Sequence, residues 1–584
     1  MKHPVLIHNA DVAAIFQQIA DLLEIEGDNP FRIRAYRNAA RMLSTLAPSV
    51  QTMVEESRDL KELPGIGPDL AAKIIEIVAT GTCALREELR NEMPPAIHEL
   101  LTVPGLGPRR VKTLYDERNI QTLDQLAKAA RDGEISTIPG FGKRTEQRIL
   151  EAVQAKLSKA RRFRIDTAAQ IAESLVPYLR EGGDVNQIEV AGSYRRRQET
   201  VGDLDIVASS ARPVRLLERF VAFGDVANVQ SHGTTRASVV LRQGIQIDAR
   251  AVADKSFGAA LHYFTGSKAH NIAVRRLAQS RGLKLNEYGL FSNERRIAGD
   301  TEASVFKAVG LPFIEPELRE NRGEIEAAQA GHLPTLVQLS DLKGDLHAHT
   351  RASDGRNSLK EMALDAQRRG FAYLAITDHS QRLKIAHGLD STALSKQIDE
   401  IDRLNDELNG ITLLKGIEVD INEDGSLDMP DAVLARLDIV VGAVHGKFGL
   451  PREKQTERIL RAMDHPCFTI LAHPTGRMIF ERDAYDVDIL RIIRHAKERG
   501  CFLELNAQPE RLDMTDTWCM AARREGVLVS IGSDAHSTFD FDDLRFGIGQ
   551  ARRGWLEKKD VLNTRTLREL KAILSRSRLT VAST

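Results

Sequence analysis

The chain has 584 residues, of which 42% are hydrophobic and 28% charged, and a formal net charge of −1. This length exceeds one hydrophobic core, so we expect about three to five domains in a soluble globular protein. No run approaches the ~18 apolar residues of a membrane helix, and the start, Met1-Lys2-His3-Pro4, is unlike a signal peptide, so we expect no membrane association.

Cysteine spacing and local charge indicate further what kind of protein this is and what it binds. Cys83, Cys467, Cys501 and Cys519 show no paired spacing, which predicts reduced thiols in a cytoplasmic protein and neither disulfides nor a zinc framework. Residues 101–300 carry 32 basic and 22 acidic side chains, a net of +10, whereas residues 401–450 carry 4 and 10, a net of −6. A basic middle suits a polyanionic partner, and the acidic region suits metal ions.

The first 160 residues read as helices interrupted by a recurring phrase. Leu63-Pro64-Gly65-Ile66-Gly67, Val103-Pro104-Gly105-Leu106-Gly107 and Ile138-Pro139-Gly140-Phe141-Gly142 are spaced 40 and 35 residues apart. One copy alone is equally well an ordinary turn between helices. Three copies favour helix-hairpin-helix motifs, in which backbone amides at helix N-termini bind DNA phosphates without reading bases.

Residues 192–207 predict a site for divalent cations. Asp203 and Asp205 stand two apart in an apolar frame, so on a strand both carboxylates face one side. Asp248 ends a second alternating apolar run. Three carboxylates on neighbouring strands suit two Mg²⁺ or Mn²⁺ ions that carry a nucleoside triphosphate. An exposed hairpin with solvated aspartates is the alternative, which a bare Asp-x-Asp would favour.

The residues just upstream of these aspartates favour the cation site over the hairpin. Gly192 and Ser193, followed by Arg195, Arg196 and Arg197, offer amides, a hydroxyl and guanidinium groups to phosphate oxygens. Residues 161–313 mix strands and helices, and the charged segment 315–338, with Pro316 and Pro334, predicts a connector.

The last 240 residues alternate between apolar runs of strand length and amphipathic helical segments. The runs are 342–349, 371–379, 411–420, 437–445, 467–473, 501–507 and 527–536, and helical segments include 358–369, 390–408, 452–464 and 486–499. This alternation predicts a parallel sheet closed, or nearly closed, into a barrel.

Metal-ligating residue types cluster at or near the ends of these runs. Catalytic groups of α/β barrels gather at the carboxyl ends of strands, so we expect the set to converge. Six His, one Glu and two Asp suit Mn²⁺, Zn²⁺ or Fe²⁺ more than Ca²⁺, and nine ligands suit three ions. His465 and His495 fall outside the pattern and are interpreted as structural. The predicted ligands are His347, His349, Asp354, His379, Glu418, His445, His473, Asp534 and His536.

At these motifs the sequence resembles bacterial PolX, a family X DNA polymerase fused to a PHP (polymerase and histidinol phosphatase) domain, over nearly its whole length. The polymerase motifs are Gly192-Ser193-Tyr194-Arg195-Arg196, Gly202-Asp203-Leu204-Asp205, Asp248, Tyr263-Phe264-Thr265-Gly266-Ser267 and Asn286-Glu287-Tyr288. The PHP motifs are Asp345-Leu346-His347-Ala348-His349, Thr377-Asp378-His379, Ala472-His473-Pro474 and Gly532-Ser533-Asp534-Ala535-His536.

The resemblance implies a multidomain α+β and α/β protein. Helix-hairpin-helix domains would precede a family X palm and thumb, and a distorted seven-stranded (β/α) PHP barrel would follow. The expected bounds are an N-terminal helix-hairpin-helix domain at 1–90, a fingers-like one at 91–160, the palm at 161–255, the thumb at 256–315, a linker at 316–338 and the PHP phosphoesterase domain at 339–575.

For the first half, the resemblance implies template-directed nucleotide addition to a primer 3′ end. Asp203 and Asp205 would bridge two Mg²⁺ or Mn²⁺ ions, and Asp248 would hold the catalytic one. The remaining nucleotide contacts would be Ser193 and Arg196 at the triphosphate, Gly202 beside the metal strand, Tyr263, Phe264 and Gly266 at the sugar, and Asn271 and Arg275 at the base.

Positions in this half depart from animal repair polymerases. Lys268 stands where those usually have Asp, which alters contacts to the incoming base. Asp69 stands where they have a phosphate-binding lysine, which weakens a 5′-phosphate pocket that Arg32, Tyr36 and Arg37 would only partly supply. Lys73 aligns with the family's Schiff-base lysine for a lyase reaction, and an ordinary exposed helical lysine is the favoured alternative.

For the second half, the resemblance implies phosphoester hydrolysis with Mn²⁺ or Zn²⁺ in a three-ion site. It groups His347, His349, Glu418 and Asp534 on one ion, Glu418, His445 and His473 on a second, and Asp354, His379 and His536 on the third. Asp354 stands where some small-molecule phosphatases have His, which favours the polymerase-attached branch. Arg477 is a candidate phosphate clamp, with an exposed loop arginine as an equal alternative.

These features together predict a gap-filling polymerase of base excision repair whose PHP domain is a 3′→5′ exonuclease or 3′-end phosphoesterase. One alternative makes the PHP domain a small-molecule phosphatase or pyrophosphatase. Another makes the chain a DNA-binding scaffold, against which the intact aspartates argue. The expected partners are gapped or primer–template DNA and dNTPs, and we expect a monomer in the cytoplasm at the nucleoid.

Overall fold

A computed structural model describes residues 7, 9–46, 50–92, 100, 101, 103, 106–118, 120–160 and 162–582. It divides the chain into two compact units, Met1–Arg161 and Arg162–Thr584. Gly105, one of the predicted DNA-binding glycines, lies outside the described residues. Across the described part of the chain, we find no helix with the length and apolar character to cross a bilayer.

The first unit is a set of helices around one apolar core. The helix Asn9–Glu26 buries Val12, Phe16, Ile19 and Leu23, which recur at helical spacing and so share one face. The α-helices described in this unit are Asn9–Glu26, Pro30–Thr45, Val50–Glu55, Pro68–Thr80, Ala84–Glu92, Pro108–Arg118, Leu123–Arg131 and Lys143–Ala160. The predicted helical character of these residues is confirmed.

The second unit begins with a five-stranded sheet within the predicted palm. Its strands are β2 (Gln187–Val190), β4 (Asp203–Ser209), β5 (Val226–His232), β6 (Arg236–Leu241) and β7 (Gln246–Val252). The sheet order is β2-β4-β7-β6-β5, and β4 and β7 pair in parallel. Helices Ile165–Glu181 and Pro213–Val221 bury their apolar residues in the core formed with this sheet. Two further strands, β1 (Phe163–Arg164) and β3 (Thr200–Val201), pair in a separate two-stranded antiparallel sheet.

A smaller helical and stranded region follows. It contains the helices Phe257–Thr265, Lys268–Ser280 and Glu302–Ala308. It also contains an antiparallel sheet of β8 (Leu283–Asn286), β9 (Gly289–Ser292) and β10 (Arg295–Ala298), in the order β10-β9-β8.

The segment 316–338 differs from the connector that its charge and prolines predict. It carries the helix Glu324–Gln329, and Leu318 and Ile325 join the same apolar core as Phe306. Three of its charged residues, Glu317, Arg319 and Glu324, are buried, and Arg319 donates to Glu302 Oε1 at 2.5 Å. The segment is therefore a packed element, and its composition was misleading because buried ion pairs look like solvated charges in a sequence.

The last part of the unit is a seven-stranded parallel sheet whose strands follow one another in strict chain order. They are β11 (Gly344–Asp345), β12 (Tyr373–Ile376), β13 (Thr412–Asp420), β14 (Ile439–Ala443), β15 (Ile470–Leu471), β16 (Phe502–Asn506) and β17 (Val529–Gly532). A parallel bridge between Ala348 and Ala535 joins the two ends. The predicted, nearly closed barrel is confirmed.

Both faces of this sheet are covered by apolar side chains. Leu374 and Ile376 of β12 belong to one buried cluster, and Tyr373 and Ala375 belong to another, as expected for parallel strands. The larger helices around the barrel are Leu359–Arg368, Ser391–Glu407, Arg452–Met463, Ile489–Arg499, Asp516–Glu525, Leu544–Arg553 and Leu567–Ala582.

Candidate functional site

The three predicted polymerase aspartates lie together on the two central strands of the five-stranded sheet. Asp203 and Asp205 begin β4, and the parallel pairing with β7 sets Asp205 directly opposite Asp248. The alternating positions of β4 bury Leu204 and Ile206 and leave the aspartates on the other face. The hairpin alternative does not hold, because the aspartates belong to a parallel pair inside a sheet.

The backbone at Gly192 lies unusually close to the carboxylate of Asp205. Gly192 has a φ of +64°, and a Cβ there would lie 2.7 Å from Asp205 Oδ2. Glycine is therefore required at this position for the Gly192–Ser193 turn to approach the carboxylate.

The crowding has an electrostatic consequence. Burial, followed by the charges of Asp203 and Asp248, raises the pKa of Asp205 to about 7. Burial and Asp248 also raise the pKa of Asp203. Like charges this close disfavour ionisation unless a cation lies among them, so the arrangement fits divalent metal ions.

A cavity of about 560 Å³ lies beside these aspartates. Asp203 and Asp205 line it, and so do seven of the eight predicted nucleotide contacts, Gly202 being the exception. Those seven are Ser193, Arg196, Tyr263, Phe264, Gly266, Asn271 and Arg275. Lys268 lines the cavity too.

The three consecutive arginines have three different environments, where the sequence predicts a shared phosphate role. Arg195 pairs with Glu302 at 2.6 Å, and Arg197 lies over the Tyr194 ring. Arg196 alone of the three lines the cavity, donating from its Nη1 to Thr265 O at 2.6 Å. Gly266, with a φ of +67°, allows this approach because a Cβ there would lie 3.2 Å from that nitrogen.

The nine predicted ligands of the barrel lie together in one site. A cavity of about 270 Å³ is lined by seven of them, namely Asp354, His379, Glu418, His445, His473, Asp534 and His536. His347 and His349 lie buried behind them, with His349 Nε2 3.1 Å from Asp534 Oδ1. The ends of the parallel strands bring these residues together, as expected for an α/β barrel.

Ligand atoms within this site fall into overlapping groups, each with all atoms within 4.8 Å of one another. The groups are His349, Asp354, His379 and His536; His347, His349 and Asp534; and His379, Glu418 and His445. His473 Nε2 lies 2.9 Å from Glu418 Oε1, and His445 Nε2 lies 3.2 Å from the same atom. These groups of described residues differ from the grouping that the resemblance implies in three ways. His349 and His379 each belong to two groups, Glu418 is absent from the group of His347 and Asp534, and His473 belongs to none of the three.

The buried polar atoms of this site fit metal ions. Nε2 of His347, Nδ1 of His473 and Oε2 of Glu418 are buried and make no hydrogen bond to the described residues. Burial, with the rings of His536 and His379, lowers the pKa of His349 to about 3, so this imidazole is neutral and able to ligate. Burial alone would raise the pKa of Glu418, but the neighbouring imidazoles outweigh it and hold that pKa well below its usual range.

Supporting residues that the sequence interpretation missed hold these ligands in place. Glu504 is buried and lies 2.6 Å from His347 Nδ1, and it accepts a hydrogen bond from His473 N at 2.8 Å. Asp420 lies 3.2 Å from His445 Nδ1. Such carboxylates fix the orientation of ligating imidazoles. The available signal was an acidic residue inside an apolar strand, Phe502–Asn506.

Arg477, the candidate phosphate clamp, is not the exposed loop residue that was its alternative, because its side chain is 14% exposed and paired. Its terminal nitrogens donate to both carboxylate oxygens of Glu199, at 3.2 and 2.6 Å. Arg511 instead lines the barrel cavity, with Nε 3.8 Å from Asp534 Oδ2.

The three hairpin phrases in the first unit share a local structure as far as they are described. Ile66, Leu106 and Phe141 are buried, and the flanking glycines Gly65, Gly67, Gly107, Gly140 and Gly142 meet nothing within 4 Å of an added Cβ. Gly67 caps the helix Pro68–Thr80, while Gly65 and Gly140 have φ values of +79° and +86°. The amides at these helix starts are therefore accessible to an anion.

The predicted 5′-phosphate residues are largely engaged within the protein. Tyr36 is buried, with its hydroxyl 3.4 Å from Asp69 Oδ2, and Arg37 pairs with Asp21 and Glu24. Arg32 pairs with Asp28 at 2.7 Å and is half exposed.

Lys73 differs from the ordinary exposed lysine that was the alternative to a lyase role. Its side chain is 17% exposed, and its Nζ lies 2.5 Å from Asp69 Oδ1, one turn before it on the same helix.

Comparison with known proteins gives four family matches along the chain. Residues 7–83 match a helix-hairpin-helix domain, 97–155 a SAM-like helix-hairpin-helix tandem, 260–320 the DNA polymerase beta thumb and 345–508 the PHP domain. The chain is 37% identical, over 98% of its length and all of the relative's, to "DNA polymerase/3'-5' exonuclease PolX" of Bacillus subtilis (strain 168).

Relatives of the barrel alone have another description. A probable phosphatase of Thermoanaerobacter sp. (strain X514) is 30% identical over 38% of this chain and 89% of its own length. A probable phosphatase of Acetivibrio thermocellus is 32% identical over 34% of this chain and 80% of its own.

Proposed function

Because this chain belongs to the PolX family of DNA polymerases with a PHP domain, we propose that it is a DNA-directed DNA polymerase and a 3′→5′ exonuclease, with one activity in each half of its second unit. The observation that carries this proposal is the presence of two separate clusters of cation-demanding side chains, one on β4 and β7 and one at the strand ends of the barrel.

In the polymerase half, Asp203, Asp205 and Asp248 would hold two Mg²⁺ or Mn²⁺ ions. Bound ions would neutralise the triphosphate and the charge that develops during phosphoryl transfer. Arg196 and Ser193, at the wall of the 560 Å³ cavity, would bind the triphosphate. Tyr263, Phe264 and Gly266 would contact the sugar, and Asn271 and Arg275 the base. Asp248, opposite Asp205, would lie nearest the primer 3′-hydroxyl.

In the barrel half, the nine ligands would hold Mn²⁺ or Zn²⁺, with three ions expected from their number. Such ions supply an activated water for phosphoester hydrolysis. Arg511 lies in the cavity wall where it would bind a substrate phosphate. Glu504 and Asp420 would fix the orientation of the imidazole rings of His347 and His445 for ligation.

The natural substrate we propose is gapped or primer–template DNA, with dNTPs, in gap-filling and base excision repair. Exposed hairpin glycines at Gly65, Gly67, Gly107, Gly140 and Gly142 support sequence-independent phosphate binding. Arg37 and Tyr36 are already paired or buried, which argues against a strong 5′-phosphate pocket. We place the protein in the cytoplasm at the nucleoid, as a monomer.

A phosphatase barrel is the second candidate, favoured by the probable phosphatases that match residues of the barrel alone. Under that candidate, the barrel would hydrolyse small phosphate esters or pyrophosphate and leave DNA ends intact.

One assay separates these candidates. A labelled gapped duplex, and a duplex with a 3′ tail, are incubated with wild type, Asp205→Ala and His349→Ala in Mg²⁺ and in Mn²⁺. We expect Asp205→Ala to lose extension by at least ~10³-fold and keep tail shortening, and His349→Ala to do the reverse. Extension that survives Asp205→Ala would refute the polymerase site, and a wild type that never shortens the tail would favour the phosphatase.

A further inference from the structure

The barrel contributes a buried arginine to the region around the polymerase cavity. Arg553 ends the helix Leu544–Arg553, and its side chain is 2% exposed. Its Nη1 donates to the main-chain oxygen of Arg196 at 2.8 Å and to Glu320 Oε1 at 2.9 Å. Both contacts join parts of the same compact unit, Arg162–Thr584.

Glu320 is the point at which these interactions converge. Its Oε1 also accepts from Arg196 Nε at 3.0 Å and from Gln198 Nε2 at 2.7 Å. Burial alone would raise the pKa of Glu320, but the guanidinium groups of Arg196 and Arg553 outweigh it and lower that pKa. The carboxylate is thus ionised and shared between one arginine of the cavity and one of the barrel.

The second terminal nitrogen of Arg553 is hydrogen-bonded within the barrel. Its Nη2 donates to Asp516 Oδ2 at 2.7 Å, and Asp516 begins the helix Asp516–Glu525. Arg322 Nη1 donates to the same oxygen at 2.9 Å. Both terminal nitrogens of the Arg553 guanidinium are therefore held, and this group contacts the main chain of Arg196 directly and its side chain through Glu320.

We propose that Arg553 of the barrel is a positioning residue for nucleotide addition, which holds Arg196 in the geometry that binds the incoming triphosphate. This inference rests on the proposed function of the cavity. Arginine has several rotatable bonds, so fixing Arg196 in advance removes an entropic cost from nucleotide binding. The barrel then serves the polymerase as a scaffold as well as carrying its own metal site.

The test is single-turnover insertion of one dNTP into a gapped duplex by the full-length chain, which yields the dNTP dissociation constant and the maximal rate separately. For Arg553→Gln we expect the dissociation constant to rise about tenfold, as for the loss of one charge-assisted hydrogen bond. The maximal rate should change by less than about threefold, because the aspartates are untouched. Exonuclease activity should equal that of the wild type.

Arg552→Gln is the matched control. Arg552 precedes Arg553 on the same helix and also contacts the segment before the barrel. Its Nε donates to Glu317 Oε1 at 2.7 Å and its Nη1 donates to Val337 O, so these hydrogen bonds reach neither Arg196 nor Glu320. We expect a similar loss of thermal stability and an unchanged dNTP dissociation constant. Arg553→Lys retains the charge and should give an intermediate constant.

The outcomes separate this inference from the proposed function. If the wild type itself does not insert nucleotides, the proposed function fails. If the wild type inserts them, the inference is overturned when Arg553→Gln binds dNTP normally or when Arg552→Gln weakens binding equally. It is overturned as well if Arg553→Gln, Arg553→Lys and Glu320→Gln all lose the nuclease in parallel with the polymerase, since that pattern indicates a merely structural role.

Discussion

At the scale of single residues, both sites consist of buried ionisable side chains whose charges need nearby charges of opposite sign. Asp205 lies among two other carboxylates, and burial with their charges raises its pKa to about 7. Glu418 has the opposite surroundings, since several imidazoles lower its pKa. A bound cation would relieve the charges in both sites. In the first it would lie among like charges, and in the second it would replace protons on imidazoles such as His379, where the nearby carboxylates outweigh burial and raise the pKa.

The raised pKa of Asp205 predicts a pH-dependent demand for Mg²⁺. A carboxyl group with a pKa of about 7 is protonated below that pH, and the ion must then displace a proton to bind. The Mg²⁺ concentration for half-maximal primer extension should therefore be about tenfold higher at pH 6 than at pH 8. Titrating extension with Mg²⁺ at both values, with saturating dNTP, measures this; equal constants would contradict a raised pKa.

Substitution of Glu504 should weaken the metal site of the barrel without affecting the polymerase site. Replacing it with Gln weakens its contacts to His347 Nδ1 and His473 N, which orient those ligands. We expect the metal affinity or the exonuclease rate to fall about tenfold to a hundredfold, with primer extension unchanged. Metal content after dialysis and both activities are the measurements. Full metal content with a normal nuclease would show that Glu504 has no such role.

At the scale of elements, the regular alternation of strand and helix made the barrel site predictable. Because the barrel strands are parallel and follow in chain order, residues at the ends of the runs converge, and the nine predicted ligands could be expected to lie together. The partners of buried charges could not be predicted. Arg195 resembles Arg196 in sequence, but its partner Glu302 is 107 residues away.

The same limit explains the segment 316–338, where the sequence shows charges and prolines but not their pairing. Arg319 is buried against Glu302, and Glu324 lies 2.7 Å from His270 Nδ1. Hydrophobic periodicity carries no signal for such pairs, since each charged residue taken alone is typical of a solvated surface.

The hairpin elements predict a specific effect on DNA binding. Gly140 and Gly133 both have positive φ, +86° and +76°, and open space around an added Cβ, but only Gly140 belongs to a hairpin phrase. Substituting either with Ala should cost about 1–2 kcal/mol of stability. Only Gly140→Ala should weaken binding to gapped DNA, by about fivefold, as for the loss of one hydrogen bond.

Fluorescence anisotropy at fixed salt, with the two variants side by side, measures this difference. Equal affinities for Gly140→Ala and Gly133→Ala would show that the third hairpin does not contact DNA.

At the scale of the whole second unit, the region of the five-stranded sheet and the barrel share an interface. Ile165 and Ala169, on the helix Ile165–Glu181, pack with Leu512 and Phe546 of the barrel in one apolar cluster. Arg477 and Glu199 pair beside it, although 278 residues separate them in sequence. These two parts of the second unit therefore form one folded body. Arg477, which the sequence offered equally as a phosphate clamp or an exposed loop residue, lies at the contact between them.

This interpretation of Arg477 predicts a double-mutant result. Arg477→Ala and Glu199→Ala should each lower the stability of the second unit by about 1–2 kcal/mol, and the double variant by hardly more than either alone. Nuclease activity per folded molecule should stay unchanged in all three. Thermal unfolding and the 3′-tail assay measure the two quantities. A clamp would instead lose nuclease activity with Arg477→Ala and retain it with Glu199→Ala.

The most direct test of the account is to locate metal ions in crystals of the protein soaked in Mn²⁺, by anomalous diffraction. We expect manganese both among Asp203, Asp205 and Asp248 and among the histidines and carboxylates of the barrel, with Asp205→Ala losing only the first. Well-ordered crystals with no manganese at either position would contradict the claim that both clusters are metal centres.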